Sequence, residues 1–364
     1  MTRRSIDRFT GCLLGGAVGD ALGYAVEFSS LDSIRRRYGV GGIRCYDLVG
    51  GKAMISDDTQ MTLFTANGLL LADTLAKRTG TKQPPVISIW RAYLDWLATQ
   101  DIAARVSPVT WLYDVHGLHV SRAPGNTCLQ ALGSGKMGTT EQPVNHSKGC
   151  GGVMRVAPIG LFYDRSQLSL AQICDIGASA AAVTHGHPLG YMSAEALVFI
   201  INSILYGSHD DGWLSGGLRE IIYDCRNYLM LRYPDDKHAG QLVELLNRAI
   251  YLSCQNVEPA AAIAQLGEGW VGEETLAIAV YCSLKFSDSF GAAVIASVNH
   301  SGDSDSTGAV TGSIMGTYLG VKAIEERFLE PLELRSVIEE IAEDLYQGAP
   351  AVESAEWDKK YYRL

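Results

Sequence analysis

The 364-residue chain lacks a paired-cysteine signature: its eight cysteines, at 12, 45, 128, 150, 174, 225, 254 and 282, include no C-x-x-C pair and no dense framework. Scattered thiols exclude a disulfide-stapled secreted scaffold and suit a reducing compartment, so the expected location is the cytoplasm. Basic charge is also scarce. Lys and Arg number 30 against 40 for Asp and Glu, a formal net charge of -10. That balance opposes a general grip on nucleic acid, and any anionic ligand has to be held locally. Arg3 and Arg4 followed by TGCLLGGAVGDALGYAVEF loosely imitate a secretory signal, but Asp7 and Asp20 interrupt the apolar stretch. Alternating Val/Ile/Thr-rich runs are almost absent, as are G-x-S-x-G, a Walker loop and a recognisable Cys-His nucleophile pair.

Helical signals fill the space that these absences leave. With 47% hydrophobic residues the chain has enough apolar surface for a large core. DDTQMTLFTANGLLLADTLAK and PPVISIWRAYLDWLATQ read as amphipathic helices, the second opening on two prolines. LAQICDIGASAAAVTH, SAEALVFIINSILYG, GQLVELLNRAIYLSC and EETLAIAVYCSLKF add further apolar helical stretches. The fold class is all-α. Glycine-rich loops interrupt it, but no long linker, low-complexity tract or solenoid repeat divides it, so one domain over residues 1–364 is expected.

Two rows of glycine stand out. Gly11, Gly15, Gly19 and Gly23 are four apart, and Gly308, Gly312, Gly316 and Gly320 repeat the interval. On a helix each row lines one side and lets another backbone approach closely. Neither segment offers about twenty uninterrupted apolar residues, so these are expected to be tightly packed core helices and not membrane spans. A helical glycine costs about 1 kcal/mol against alanine, so close approach has to offset that loss.

Carboxylates concentrate at two apparent helix starts. ISDDTQMT carries Ser56, Asp57, Asp58 and Thr59, and HSGDSDST carries Asp303, Ser304, Asp305, Ser306 and Thr307. Each cluster alone is explained by capping, because Asp and Ser satisfy free N–H groups at a helix N-terminus. Hydroxyl-flanked carboxylates also suit Mg²⁺ or Mn²⁺, and a pair of such ions about 4 Å apart would need the clusters to meet. Spacing leaves both readings open. His185 and His187 in VTHGHPLG are two apart but lack a third ligand, which argues against a zinc site.

FTGCLLGGAVGDALGYAVEF, SDDTQMT, GCGGVMRVAPIG and HSGDSDSTGAVTGSIMG, in this order, resemble the ADP-ribosylglycohydrolase family, from about residue 6 to about residue 345. That family includes the dinitrogenase-reductase-activating glycohydrolase and the ADP-ribosyl-arginine and ADP-ribosyl-serine hydrolases. The resemblance implies a compact all-α protein in which the acidic clusters converge on a pair of Mg²⁺ or Mn²⁺ ions below an ADP-ribose cleft. Its metal motifs fall on Ser56, Asp57 and Asp58 and on Asp303, Asp305 and Ser306, with Asp305 bridging. Its glutamate beside the metals falls on Glu27. Asp20 is expected to tie a loop together outside the site.

The same resemblance implies that Gly125, Asn126, Ser147, Gly149, Gly151 and His185 line the ADP-ribose. Glycines suit that role because backbone N–H groups can then come close to phosphate oxygens. Members often carry Asn where this chain has Cys150, so only the backbone contacts of that loop carry over. Arg155 reads equally as a ligand contact or as a buried structural cation, and Trp270 as core or as a substrate-stacking ring. The expected reaction is hydrolysis at the anomeric carbon of the distal ribose, which develops oxocarbenium character. Asp303 is the first candidate for proton transfer and Glu27 its rival. The expected substrate is an ADP-ribosylated protein, with ADP-ribose as product ligand and arginine as the favoured attachment. The alternatives are O-linked conjugates, on serine or O-acetyl, and an immunity protein that binds an ADP-ribosyltransferase toxin. Retention of Asp57, Asp58, Asp303 and Asp305 favours an active enzyme over a non-catalytic relative.

Overall fold

The computed structural model describes residues 3–100, 107–207 and 217–363, and every candidate site residue named above lies within them. Among these residues the regular structure is helical. Helices α1 (Ile6–Tyr24), α2 (Leu31–Tyr38), α3 (Asp57–Thr79) and α4 (Pro85–Thr99) are followed, after an irregular stretch, by α5 (Asn126–Gly133) and α6 (Ala157–Phe162). Then come α7 (Leu170–Ala182), α8 (Pro188–Tyr206), α9 (Leu218–Arg232), α10 (Lys237–Ser253) and α11 (Pro259–Ile263). The chain ends with α12 (Gly272–Lys285), α13 (Phe290–Val298), α14 (Ser304–Leu319), α15 (Glu326–Leu329), α16 (Arg335–Gln347) and α17 (Ala355–Tyr361). Among the described residues strand pairing is confined to isolated bridges, one of them joining Gly149 to Val271.

The helix boundaries follow local chemistry. Ser169 and Gln172 exchange hydrogen bonds in a capping box at the start of α7. Pro188 opens α8, where a missing N–H is harmless, and Pro85 does the same for α4. One connected apolar core runs from Phe9 through Phe64, Trp96, Phe199 and Tyr281 to Tyr361. Helix α8 is long and apolar enough to cross a bilayer, but the fold buries it among its neighbours.

Helices α1 and α14 pack at very short range. A Cβ added at Gly11, Gly15 or Gly19 would collide with the carbonyl oxygen of Gly316, Gly312 or Gly308 respectively, and the reverse additions collide in the same pairs. Backbone therefore lies directly on backbone, which is what the four-residue glycine interval predicts. Gly23 continues the line against the carbonyl of Ser304. Gly320 does not belong to it. It ends α14 at φ 86, beside the Asp7 carboxylate, because a helix stop there needs the left-handed region that glycine enters without strain.

Candidate active site

The glycine seam ends where the acids begin. Ser56 caps α3, its hydroxyl accepting from the N–H of Asp58 at 3.2 Å. Asp303 caps α14, accepting from the N–H of Ser306 at 3.1 Å. Asp57, Asp58 and Asp305 thus occupy first helical turns, where free N–H groups and the positive dipole end favour anions. The capping reading is correct for both clusters, yet it is incomplete, because the two caps face one another. Ser56 hydrogen-bonds to Asp305, whose charge presses on Asp57, Asp58, Asp303, Asp20 and Glu27.

All six acids are buried. No lysine or arginine forms an ion pair with them among the described residues. Burial first, and then the Asp305 charge, holds Asp57, Asp58 and Asp303 well above the usual carboxylate range. The same causes push Glu27 up to about 10 and Asp20 up to about 7. Asp20 accepts hydrogen bonds from the N–H of Ser56 at 3.0 Å and of Thr59 at 3.1 Å, and from the Thr59 hydroxyl, so it ties the start of α3 to α1. Asp57 accepts from the Gly125 N–H at 3.2 Å, while Asp58 Oδ2 and Glu27 Oε2 are buried with no partner. Among the described residues no three His, Cys, Asp or Glu side chains stand ready around one point as a closed ligand set. The carboxylates are drawn instead onto the hydroxyl, thiol and N–H groups nearest to them.

A glycine loop closes one side of this pocket. On another side Gly302, at φ 153, admits the Glu268 carbonyl where a side chain would collide. Cys150 donates its thiol to Asp303 Oδ2 at 2.7 Å, and its N–H donates to the Trp270 carbonyl at 3.2 Å. Beside it, the Ser147 hydroxyl accepts from the Gly149 N–H at 3.2 Å. The His185 ring lies against Gly149 and Gly151, with Nε2 toward both. Its orientation comes from a relay. Arg155 donates to the Thr184 hydroxyl at 2.6 Å, and that hydroxyl meets His185 Nδ1 at 2.8 Å. Through that hydroxyl the buried Arg155 fixes the plane of the His185 ring beside the loop. Burial and then the Arg155 charge push His185 down to about 3, so the ring is neutral.

Arg155 is itself fully buried, against the Tyr93 ring at 4.3 Å, and acts through the core and not on a ligand. His187 caps α8, accepting from the Leu189 N–H at 3.1 Å, and so does not pair with His185 around an ion. Gly125 and Asn126 are exposed at the start of α5, Gly125 beside Asp57. Sequence reasoning missed the Cys150 thiol contact and Phe28, whose ring stacks on Trp270 at a centroid distance of 5.8 Å and an interplanar angle of 19°. Phe28 follows Glu27 directly, and an aromatic ring next to a candidate site acid was the available signal. A cavity of about 650 Å³ lies elsewhere, between Asp73, Lys77, Phe162 and Leu345 at the far end of α3, and contains none of these acids. Chemistry, not volume, marks the site.

The profile of the ADP-ribosylglycohydrolase family matches residues 1–355. The chain belongs to this family. An ADP-ribosyl-[dinitrogen reductase] glycohydrolase of Rhodospirillum rubrum is 26% identical over 92% of this chain and 94% of its own. An ADP-ribosylarginine hydrolase, Tri1, of Serratia proteamaculans is 25% identical over 95% of this chain and 81% of its own. A solved ADP-ribosylglycohydrolase-related protein complex superposes with a TM-score of 0.60 at 23% identity, covering 95% of this chain and 99% of that one, and so shares the fold. As a family member the protein is a hydrolase enzyme, an ADP-ribosylglycohydrolase.

Proposed function

We propose that this ADP-ribosylglycohydrolase is a cytoplasmic, divalent-cation-dependent enzyme that releases ADP-ribose from arginine side chains of modified proteins. One observation carries the reading: two helix starts, remote in sequence, enclose one buried pocket of carboxylates that has no basic partner. Buried like charges of this density need protons or cations. The donors are oxygens, and the unpartnered Asp58 Oδ2 is a free ligand position, so the set fits Mg²⁺ or Mn²⁺. Ser56, Asp57, Asp58, Asp303, Asp305 and Ser306 would hold a pair of such ions. Bound there, the ions supply Lewis acidity and neutralise the acids.

The remaining roles fall to the chain's own groups. The backbone N–H of Gly151, with the His185 ring beside it, binds the pyrophosphate oxygens, and Ser147 shapes the loop by holding the Gly149 N–H. Gly125 and Asn126 offer the exposed start of α5 to the same ligand. Water adds to the anomeric carbon as the bond to the guanidino nitrogen breaks, and the bonding pair leaves with nitrogen. Asp303, held by Ser306 and Cys150, accepts the water's proton. Glu27, whose carboxyl burial and the Asp305 charge push up to about 10, gives a proton to the departing nitrogen. The Serratia relative's name supports arginine as the attachment.

The test incubates the protein with arginine- and serine-linked ADP-ribosyl peptides, with and without EDTA, and measures released ADP-ribose. Release from the arginine peptide that EDTA abolishes is the expected result. Release unaffected by EDTA overturns the metal assignment, and release from the serine peptide alone overturns the linkage.

A further inference from the structure

Phe28 is 75% exposed and Trp270 38% exposed, an unusual degree for large aromatic rings, and the two stack on each other. Their anchors are the walls of the pocket. Phe28 follows Glu27 at the end of the α1 turn. Trp270 follows Gly269, whose Cα packs on Asp303, and the Trp270 carbonyl holds the N–H of Cys150. The pair therefore spans from the glutamate side of the acid cluster to its glycine-loop side. A partly wet, flat aromatic surface next to a buried carboxylate oxygen with no partner has a definite chemical complement: a planar cation that stacks on rings and donates hydrogen bonds at its edge. Guanidinium meets both demands. An alcohol leaving group meets neither.

We infer that Phe28 and Trp270 form a guanidinium wall: the arginine head group of the substrate lies flat against the paired rings, with an edge N–H directed at Glu27 Oε2. This rests on the proposed hydrolase reading and gives its choice of attachment a physical cause. Phe28 and Trp270 are specificity-determining residues for the leaving group, acting beside the acids and not as part of the reacting set.

Two measurements test the wall. In the first, kcat/KM is determined for arginine- and serine-linked ADP-ribosyl peptides with wild type, Trp270→Ala, Phe28→Ala and Trp270→Phe. A partly desolvated cation–π contact is worth about 2 kcal/mol, so the arginine-to-serine ratio in Trp270→Ala is expected to fall by about thirtyfold, mainly through KM. Phe28→Ala is expected to lower it less, and Trp270→Phe to restore most of it. Equal losses on both peptides, or no loss, overturn the inference. In the second, agmatine binding to the ADP-ribose-saturated protein is followed by calorimetry, which requires no turnover. Affinity at least tenfold weaker in Trp270→Ala supports the wall, and equal affinity in both proteins overturns it. A wild type that hydrolyses neither peptide yet binds agmatine through Trp270 refutes the hydrolase reading while upholding the wall.

Discussion

Helices α1 and α14 carry two regions built on opposite terms. Along their length they touch through main-chain atoms, with Gly11, Gly15 and Gly19 against Gly316, Gly312 and Gly308. At one end, where Gly23 meets Ser304, the same two helices deliver Glu27, Asp303 and Asp305 into a pocket of like charge. The seam is uncharged and close-packed. The pocket is a concentration of groups that repel. Contact along the seam fixes the geometry, and repulsion at its end is tolerated because the seam holds. Proteins commonly carry their unfavourable interactions at functional sites, and here the compensating contact lies within a few helical turns.

Substitutions on the two sides should therefore diverge. The largest expected effect is at the pocket: Asp58→Asn should lower ADP-ribose release by about a thousandfold or more, equivalent to roughly 4 kcal/mol. In EDTA the same variant should unfold at higher urea than wild type, by about 1 kcal/mol, because one buried charge is gone. Lower stability there would contradict the repulsion argument. At the seam the expected sign reverses. Gly312→Ala should destabilise by about 3 kcal/mol in urea titration, since the obstacle is the Gly15 carbonyl and no side chain can move aside. A near-neutral Gly312→Ala would break the comparison outright.

Cations should then narrow the difference between the regions. At a concentration about a hundred times the Kd, Mg²⁺ or Mn²⁺ should raise wild-type stability by about 2.7 kcal/mol, and the gain should vanish in the double variant Asp58→Asn/Asp305→Asn. A pH effect concerns His300, in the turn before α14, which bonds Thr307 at 2.9 Å and is pushed down to about 4 by burial. The folded form binds a proton less well than the unfolded chain, so the stability present above the ordinary value near 6.5 is lost as pH falls toward 4. About 2 kcal/mol should be lost by pH 5 from this group, and His300→Gln should unfold with a correspondingly shallower slope between pH 6.5 and 5. Identical slopes would remove His300 from the account.

The seam was legible in the sequence because a four-residue interval maps directly onto one side of a helix, and its members needed no partner to be recognised. The Gly320 position was misplaced on that strip, since interval alone cannot tell the last helical residue from the cap. Ser56, Asp57, Asp58, Asp303, Asp305 and Ser306 were legible as helix starts for a similar reason. That they face one another was not, because nothing local to either cluster encodes the other, and only the family resemblance joined them. The Cys150 thiol on Asp303 and the pairing of Phe28 with Trp270 were not legible, although Phe28 was marked by its place beside Glu27, because both contacts join irregular segments, where no periodicity says which way a side chain points. Arg155 shows the same limit: beside a glycine loop the sequence left it equally a phosphate ligand or a structural cation, and only the closed core decides.

Main chain resting on main chain leaves an interface with no rotamers. A carbonyl cannot turn away from a new methyl group, nor can a neighbouring residue shrink to admit it, so a lost glycine on either helix has no local remedy. The spacing between the two acid-bearing ends is thereby registered by the peptide backbone itself, much as a ruler is read from its own edge.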